Sequence, residues 1–365
     1  MLMAALADVL DGRDSPVLPV PAGARAPAAL RVGEPIDDDV ALVVTTSGTT
    51  GTPKGAMLTA AALRAGASGT HDRLGGPGHW LLALPAHHIA GIQVLVRSLL
   101  AGTVPAELDL SRGFDPAGIP EAVAGLGPGR RYTALVAHQL AKALEHPEAT
   151  AALAGLDAVL LGGGPAPQPV LEAAGRAGIA VVRTYGSSET AGGCVYDGRP
   201  LAGVRVRVDD PLPGGEGRIA IGGATVATGY RNPPDPDPFA EPGWFRTGDI
   251  GSLDDSGRLR VVGRADDAIS TGGLTVLPGE VEAVLAGHPA VAECAVFGVA
   301  DDRLGQRVVA AVVPRGPVPA LEELREWVRR SLDRTAAPRQ LHIVAELPRH
   351  GIGKVDRRAL QKRFG

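Results

Sequence analysis

Between residues 41 and 186 short apolar runs recur with helical stretches between them: ALVVTT (41–46), HWLLALP (79–85), YTALVA (132–137), DAVLLGG (157–163) and AVVRTYG (180–186). Runs this short, separated by stretches such as PQPVLEAAGRAG (167–178), predict buried strands alternating with helices. That rhythm gives an α/β layer with at least some parallel strands. From about residue 200 to 254 the pattern changes to short strands divided by Gly/Pro turns, as in VRVRV (204–208) and GRIAIGG (217–223), which predicts a smaller β-rich subdomain. Beyond Gly263-Arg264 two amphipathic helical patterns appear. One puts Val281, Val284 and Leu285 on a single face, and the other Leu321, Leu324, Val328 and Leu332. Strand-like runs at 291–299, 307–314 and 341–347 alternate with them. The expected architecture is a large mixed α/β N-terminal domain over 1–265, with its β-rich subdomain at 200–262, and a small α+β C-terminal domain over 266–365. No internal repeat is evident.

Composition narrows the class. The 365 residues carry 36 basic and 40 acidic side chains without a dense basic block, so there is no electrostatic footprint for nucleic acid or an anionic membrane surface. The 50 glycines and 31 prolines make the chain loop-rich without reaching a disordered composition. Cys194 and Cys294 stand far apart and outside any Cys/His cluster, which argues against a disulfide framework or zinc site. The first residues lack a basic signal-peptide start, and no run is long enough to cross a membrane, so a cytoplasmic enzyme is expected. Only 4 of the 36 basic residues are Lys: Lys54, Lys142, Lys354 and Lys362. A Lys retained against such a bias toward Arg points to chemistry that needs a compact, flexible ammonium.

Residues 45–55, TTSGTTGTPKG, follow an apolar strand directly. Glycines let the backbone wrap a polyanion, hydroxyls and freed N–H groups donate to phosphate oxygens, and Lys adds a point charge. Thr46, Ser47, Gly48, Thr49, Thr50, Gly51 and Lys54 are therefore candidates for a triphosphate cradle, the plain alternative being a polar linker. Pro53 before Lys54 and Gly55 after it exclude a Walker A loop. Further along, Gly162, Gly163, Gly164 and Pro165 close an apolar strand ahead of a helix, which suits a flat ligand or simply a tight turn.

Together with four later segments the loop resembles the signature set of the acyl-adenylate-forming superfamily, which includes acyl-CoA synthetases, luciferases and nonribosomal adenylation domains. YGSSET (185–190) is similar to the family's Y-G-x-T-E, with Ser188 where Thr is usual; WFRTGD (244–249) is similar to T-G-D; GRADD (263–267) to G-R-x-[DK]-D; and PRHGIGK (348–354) to P-R-x-x-x-G-K. The resemblance implies the acyl-adenylate-forming fold and assigns roles. Tyr185 and Gly186 would flank the adenine, Ser188 the α-phosphate and Glu189 a Mg²⁺ ion. Asp249 would accept the ribose hydroxyls and Arg264 would reach ribose or phosphate. Asp266 would be the interdomain hinge, Gly272 and Gly273 would line the coenzyme A path, and Lys354 would screen the attacking carboxylate from the α-phosphate. ATP, Mg²⁺, coenzyme A and a small carboxylic acid are the implied partners, with no nucleic acid and no membrane insertion; the oligomeric state, a homodimer included, stays open.

For the acid, residues 85–91, PAHHIAG, resemble the P-L-x-H-I-[SA]-G segment of o-succinylbenzoate-CoA ligases of menaquinone biosynthesis. His88 is the matching histidine, with His87 beside it; a helix-start cap is the structural alternative. Gly162, Ala191, Gly192 and Gly193 would complete the acyl wall, and Arg97 or Arg183 could meet a second carboxylate. The family has a long subdomain ahead of its phosphate loop, whereas here the loop starts at Thr45. That shortening favours the compact o-succinylbenzoate ligases over long-chain synthetases and luciferases. A ligase for another small aromatic or aliphatic acid, an enzyme loading a carrier protein, and a non-catalytic adenylate-binding protein are the alternatives; Lys354, Glu189 and Asp249 argue against the last.

Overall fold

The computed structural model describes residues 2–46, 53–211, 215–350 and 354–365. Helix α1 (Leu2–Leu10) buries Leu6, Val9 and Leu10. Strands β1 (Val40–Thr46) and β2 (Lys54–Thr59) then pair antiparallel, with Thr46 opposite Lys54. The run at 41–46 therefore stands outside the main sheet, because the apolar alternation of β2 gives it an antiparallel partner immediately after the loop. Helix α2 (Ala60–Leu74) starts where the Thr59 hydroxyl accepts the Ala62 N–H at 3.0 Å and ends at Gly75, whose left-handed φ of 87° turns the chain.

The α/β layer follows: β3 (His79–Leu82), α3 (Ile89–Ala101), β4 (Ala106–Glu107), α4 (Ile119–Ala124), β5 (Arg131–Val136), α5 (Ala137–Leu144), α6 (Pro147–Ala154), β6 (Ala158–Gly162), α7 (Gln168–Arg176), β7 (Val181–Ser187), β8 (Gly192–Tyr196) and β9 (Arg199–Pro200). The sheet order is β4-β3-β5-β6-β7-β8-β9, parallel through β7 and then antiparallel. Alternation along each strand makes two cores. Trp80, Leu82, Tyr132, Ala134 and Leu160 meet α1 to α3 on one face. Leu81, Ala83, Leu135, Val159 and Leu161 meet α4 to α7 on the other. Because β6 and β7 run parallel, the loops after them leave the sheet at the same rim.

Strands β10 (Val204–Asp209), β11 (Gly217–Gly223), β12 (Gly229–Tyr230), β13 (Trp244–Leu253) and β14 (Leu259–Arg264) come next. Four of them form an antiparallel sheet, β10-β11-β13-β14, while β12 leaves to pair with β2. A short 3-10 turn at Ala265–Asp267 leads to β15 (Ile269–Thr271), β16 (Leu274–Val276), α8 (Pro278–Ala286), β17 (Val291–Asp301), β18 (Gly305–Pro314), α9 (Leu321–Arg329), β19 (Gln340–Ile343), β20 (Arg349–His350), β21 (Lys354–Val355) and α10 (Arg357–Phe364). These make a sheet β16-β15-β18-β17, with β19 parallel to β18, and a separate hairpin of β20 and β21. Leu332 falls beyond α9. The strand expected at 341–347 stops at Ile343, because Val344 and Leu347 turn into the apolar cluster under α10.

One buried ion pair ties this last unit together. Arg357, three residues after Lys354, gives both Nη2 contacts to Glu282 at 2.7 Å, while Glu282 also accepts the Val296 N–H at 2.7 Å and Arg357 reaches Asp267 at 3.3 Å. Removing one side of such a pair strands the other charge. Glu282→Ala should lower the unfolding free energy by about 3 kcal/mol, read from the urea midpoint; a change below about 1 kcal/mol would contradict this role.

Candidate active site

The stem of the candidate phosphate loop is a hairpin of β1 and β2. Antiparallel pairing sets Thr46 against Lys54, so both ends of the 47–52 segment leave the same edge. Asn232 braces that edge, accepting the Gly55 N–H at 3.1 Å and donating to the Pro53 carbonyl at 2.8 Å. The Lys54 ammonium lies 5.3 Å from the centre of the Tyr230 ring. Ser47, Gly48, Thr49, Thr50 and Gly51 lie outside the described residues. Arg231, next to these groups, grips the N-terminal segment through the carbonyls of Leu30, Arg31, Glu34 and Pro35, at 2.6–3.4 Å.

The adenine and ribose candidates converge. Tyr185 lies on β7, two residues before its end, and its hydroxyl donates to the Asp249 carboxylate at 2.7 Å. Burial, and then the nearby carboxylate, holds that phenol well above its ordinary pKa, so it stays a donor. Asp249 on β13 sits opposite Arg264 on β14. Arg264 bridges Asp249 at 3.5 Å and Asp266 at 2.9 Å. The hinge candidate thus shares its guanidinium with the ribose candidate. Gly186 permits the approach of β7 to β8: a Cβ there would stand 2.1 Å from the Gly192 carbonyl oxygen. Gly162 closes β6, with Gly163, Gly164 and Pro165 in the loop after it.

Ser188 and Glu189 occupy the 3-10 turn Ser188–Thr190, held by the Thr190 hydroxyl accepting the Ser187 N–H at 2.9 Å. Glu189 is buried and takes the Tyr230 hydroxyl at 2.5 Å. A buried carboxylate fixed by a neutral donor offers a hard oxygen to a cation that arrives from outside. Ala191 follows in the left-handed region at φ 51°, a conformation uncommon for a residue with a side chain. That turn feeds Gly192 and Gly193 into β8 beside Tyr185 and Gly186.

His88 stands at the N-cap position of α3, the place the structural alternative gives it, but its side chain makes no capping bond. The His87 and His88 rings lie 4.3 Å apart. Burial lowers both pKa values, and His87 lowers that of His88 further, which favours neutral imidazoles. The two arginines separate clearly. Arg183 is exposed and paired with Asp197 at 3.3 Å, which takes it out of the pocket as a free carboxylate partner. Arg97 is 3 % exposed, on the α3 face that carries Gln93 one turn and Ile89 two turns before it, and it has no carboxylate partner among the described residues. Gln93 packs against Gly192, whose added Cβ would be 3.2 Å from its Cγ.

Gly272 and Gly273, at φ 60° and 81°, make the tight turn between β15 and β16, away from the groups above in sequence and next to the hinge. Lys354 begins β21 and pairs with His350 across the hairpin; its side chain lies outside the described residues. The sequence reading passed over Tyr230, Asn232 and Tyr196. The first two lie in TGYRN (228–232), a short polar-aromatic run whose strand joins β2 instead of its neighbours, and only the fold reveals that pairing. Among the described residues no cluster of three or more potential metal ligands occurs, and no helix is long and apolar enough to cross a membrane.

Comparison with known proteins agrees with this layout. The AMP-binding enzyme family matches residues 7–231, and the AMP-binding enzyme C-terminal domain matches residues 280–354. The chain is 68% identical over 369 residues to a probable 2-succinylbenzoate–CoA ligase of Mycobacterium tuberculosis, covering 100% of this chain and 95% of that protein. It is 37% identical over 383 residues to the 2-succinylbenzoate–CoA ligase of Geobacillus kaustophilus, covering 98% and 76%. Among solved structures it resembles the o-succinylbenzoate CoA synthetase of Bacillus subtilis in complex with its acyl-adenylate intermediate, at TM-score 0.76, 30% identity and coverage of 88% of this chain and 69% of that one. It also resembles ATP-bound MatB from Rhodopseudomonas palustris, at TM-score 0.79, 29% identity and coverage of 89% and 68%. The family models over residues 7–231 and 280–354, with relatives matched along the whole chain, place it in the AMP-binding enzyme family, whose members use ATP to adenylate their substrates.

Proposed function

We propose that this chain is an ATP-dependent o-succinylbenzoate–CoA ligase of menaquinone biosynthesis, acting in the cytoplasm through an acyl-adenylate. The observation that carries the choice of acid is Arg97, a buried guanidinium without an acidic partner among the described residues, one turn along α3 from Gln93, which packs against Gly192 of the Ala191, Gly192 and Gly193 wall. An uncompensated buried charge is costly, and an acid with two carboxylates supplies what it lacks. One carboxylate is activated while the other meets Arg97.

In the first half-reaction the aliphatic carboxylate oxygen attacks the ATP α-phosphorus, the bond to the bridging oxygen breaks, and pyrophosphate leaves. Lys54 and the loop residues hold the phosphates, Ser188 contacts the α-phosphate, and Lys354 offsets the charge that builds between two anions. Glu189, one hard carboxylate fixed by Tyr230, fits a Mg²⁺ that rides on substrate phosphates, since such an ion needs few protein ligands; when bound, that ion neutralises phosphate charge. Tyr185 and Asp249 hold the nucleoside. The unit from Asp266 onward then turns about the hinge, with 1–265 as the fixed domain. Coenzyme A enters beside Gly272 and Gly273, and its thiolate displaces AMP from the acyl carbon within a pocket that His87, His88 and Gly162 help to wall.

Pyrophosphate release measured across a panel of acids tests this reading. o-Succinylbenzoate should give the highest kcat/KM, exceeding benzoylpropionate, which lacks the ring carboxylate, by roughly 100-fold. A stronger response to another acid would overturn the choice of substrate, and transfer to a carrier protein in preference to coenzyme A would overturn the acceptor.

A further inference from the structure

Arg97 is held by neutral groups alone. Its guanidinium carbon lies 4.9 Å from the centre of the Trp80 ring, and its Nη2 donates to the Tyr196 hydroxyl at 3.3 Å. That hydroxyl is also 2.9 Å from Thr70 Oγ1, and the Thr70 hydroxyl donates to the Gly66 carbonyl at 2.8 Å. The proton directions follow. Thr70 spends its one proton on Gly66, so Tyr196 must donate to Thr70, and a Tyr196 lone pair is then turned toward Arg97. Thr70, Trp80 and Tyr196 are all fully buried, so none of these groups can fall back on bulk water.

The same region gathers unsatisfied polar atoms. Arg97 Nε, Trp80 Nε1, His71 Nε2, Gln93 Oε1 and Ser98 Oγ are buried with no hydrogen-bond partner among the described residues. Buried polar groups are normally paired, so this cluster marks a place meant to receive a polar ligand group. His71 is held toward the neutral form by burial and by Arg97, which leaves the guanidinium as the one cation of this group among the described residues. A carboxylate from the protein would have satisfied Arg97 and cancelled its charge. A hydroxyl and an aromatic face steady it and leave the charge available. Tyr196 also borders the acyl wall, since a Cβ on Gly193 would stand 3.2 Å from its ring.

We infer that Tyr196, oriented by Thr70, is a positioning residue that holds the Arg97 guanidinium while leaving its buried Nε unpaired among the described residues, and so sets the preference for acids carrying a second carboxylate. The inference rests on the reading of the substrate proposed above. Its test is the pyrophosphate-release assay on the whole chain with o-succinylbenzoate and benzoylpropionate. Tyr196→Phe should raise KM for o-succinylbenzoate roughly 3- to 10-fold, with kcat within about 2-fold and KM for benzoylpropionate unchanged. Thr70→Val should act in the same direction and add nothing in the Tyr196→Phe background, while Thr70→Ser restores the wild-type preference. Equal changes for the two acids, or no change in either, would overturn the inference even where the wild-type protein prefers o-succinylbenzoate. A wild-type protein that does not distinguish the two acids would overturn the reading of the substrate itself.

Discussion

Lys354→Ala is expected to slow adenylation by about 10³-fold while leaving conversion of supplied acyl-AMP to the thioester near the wild-type rate. The two half-reactions need different things. In the first, a carboxylate must approach a phosphate, and an ammonium between them stabilises charge that exists only as the new bond forms. In the second, the electrophile is already an activated acyl group and the nucleophile a thiolate, so the same ammonium has little to offset. Lys354 is one of 4 lysines in a chain with 36 basic residues, and an arginine there would bring a wide planar fork in place of a compact point charge. Equal loss of both half-reactions would contradict the assigned role. Pyrophosphate release and thioester formation, measured separately, decide it.

The second large effect concerns Arg97. Arg97→Met should lower kcat/KM for o-succinylbenzoate by roughly 100-fold and leave that for benzoylpropionate little changed. It should do so without lowering the melting temperature. Methionine fills a similar volume against Trp80, and it removes a buried charge that has no acidic partner among the described residues. Loss of selectivity with stability kept or gained separates a recognition residue from a structural one. A fall in both, for both acids, would place Arg97 in the scaffold.

Sequence alone carried the order of the motifs and most of the elements, because period-two alternation and Gly/Pro punctuation are local. The parallel strands at 79–85, 132–137 and 157–163 appear where apolar runs predicted them. The run at 41–46 misled, since a buried strand looks the same whether it joins a parallel sheet or a hairpin. Long-range pairing was illegible too. Nothing local says that Tyr230 will donate to Glu189 from 41 positions away, or that Tyr185 will bond Asp249 across 64. Arg97 and Arg183 look alike in sequence, and only packing distinguishes a buried unpartnered guanidinium from one that meets Asp197 at the surface.

The central claim is most directly tested by incubating the purified chain with ATP, Mg²⁺, coenzyme A and o-succinylbenzoate and weighing the products by mass spectrometry. The account predicts the o-succinylbenzoyl thioester of coenzyme A together with AMP and pyrophosphate in equal amounts. Formation of ADP and phosphate, or release of AMP without any thioester, would contradict it.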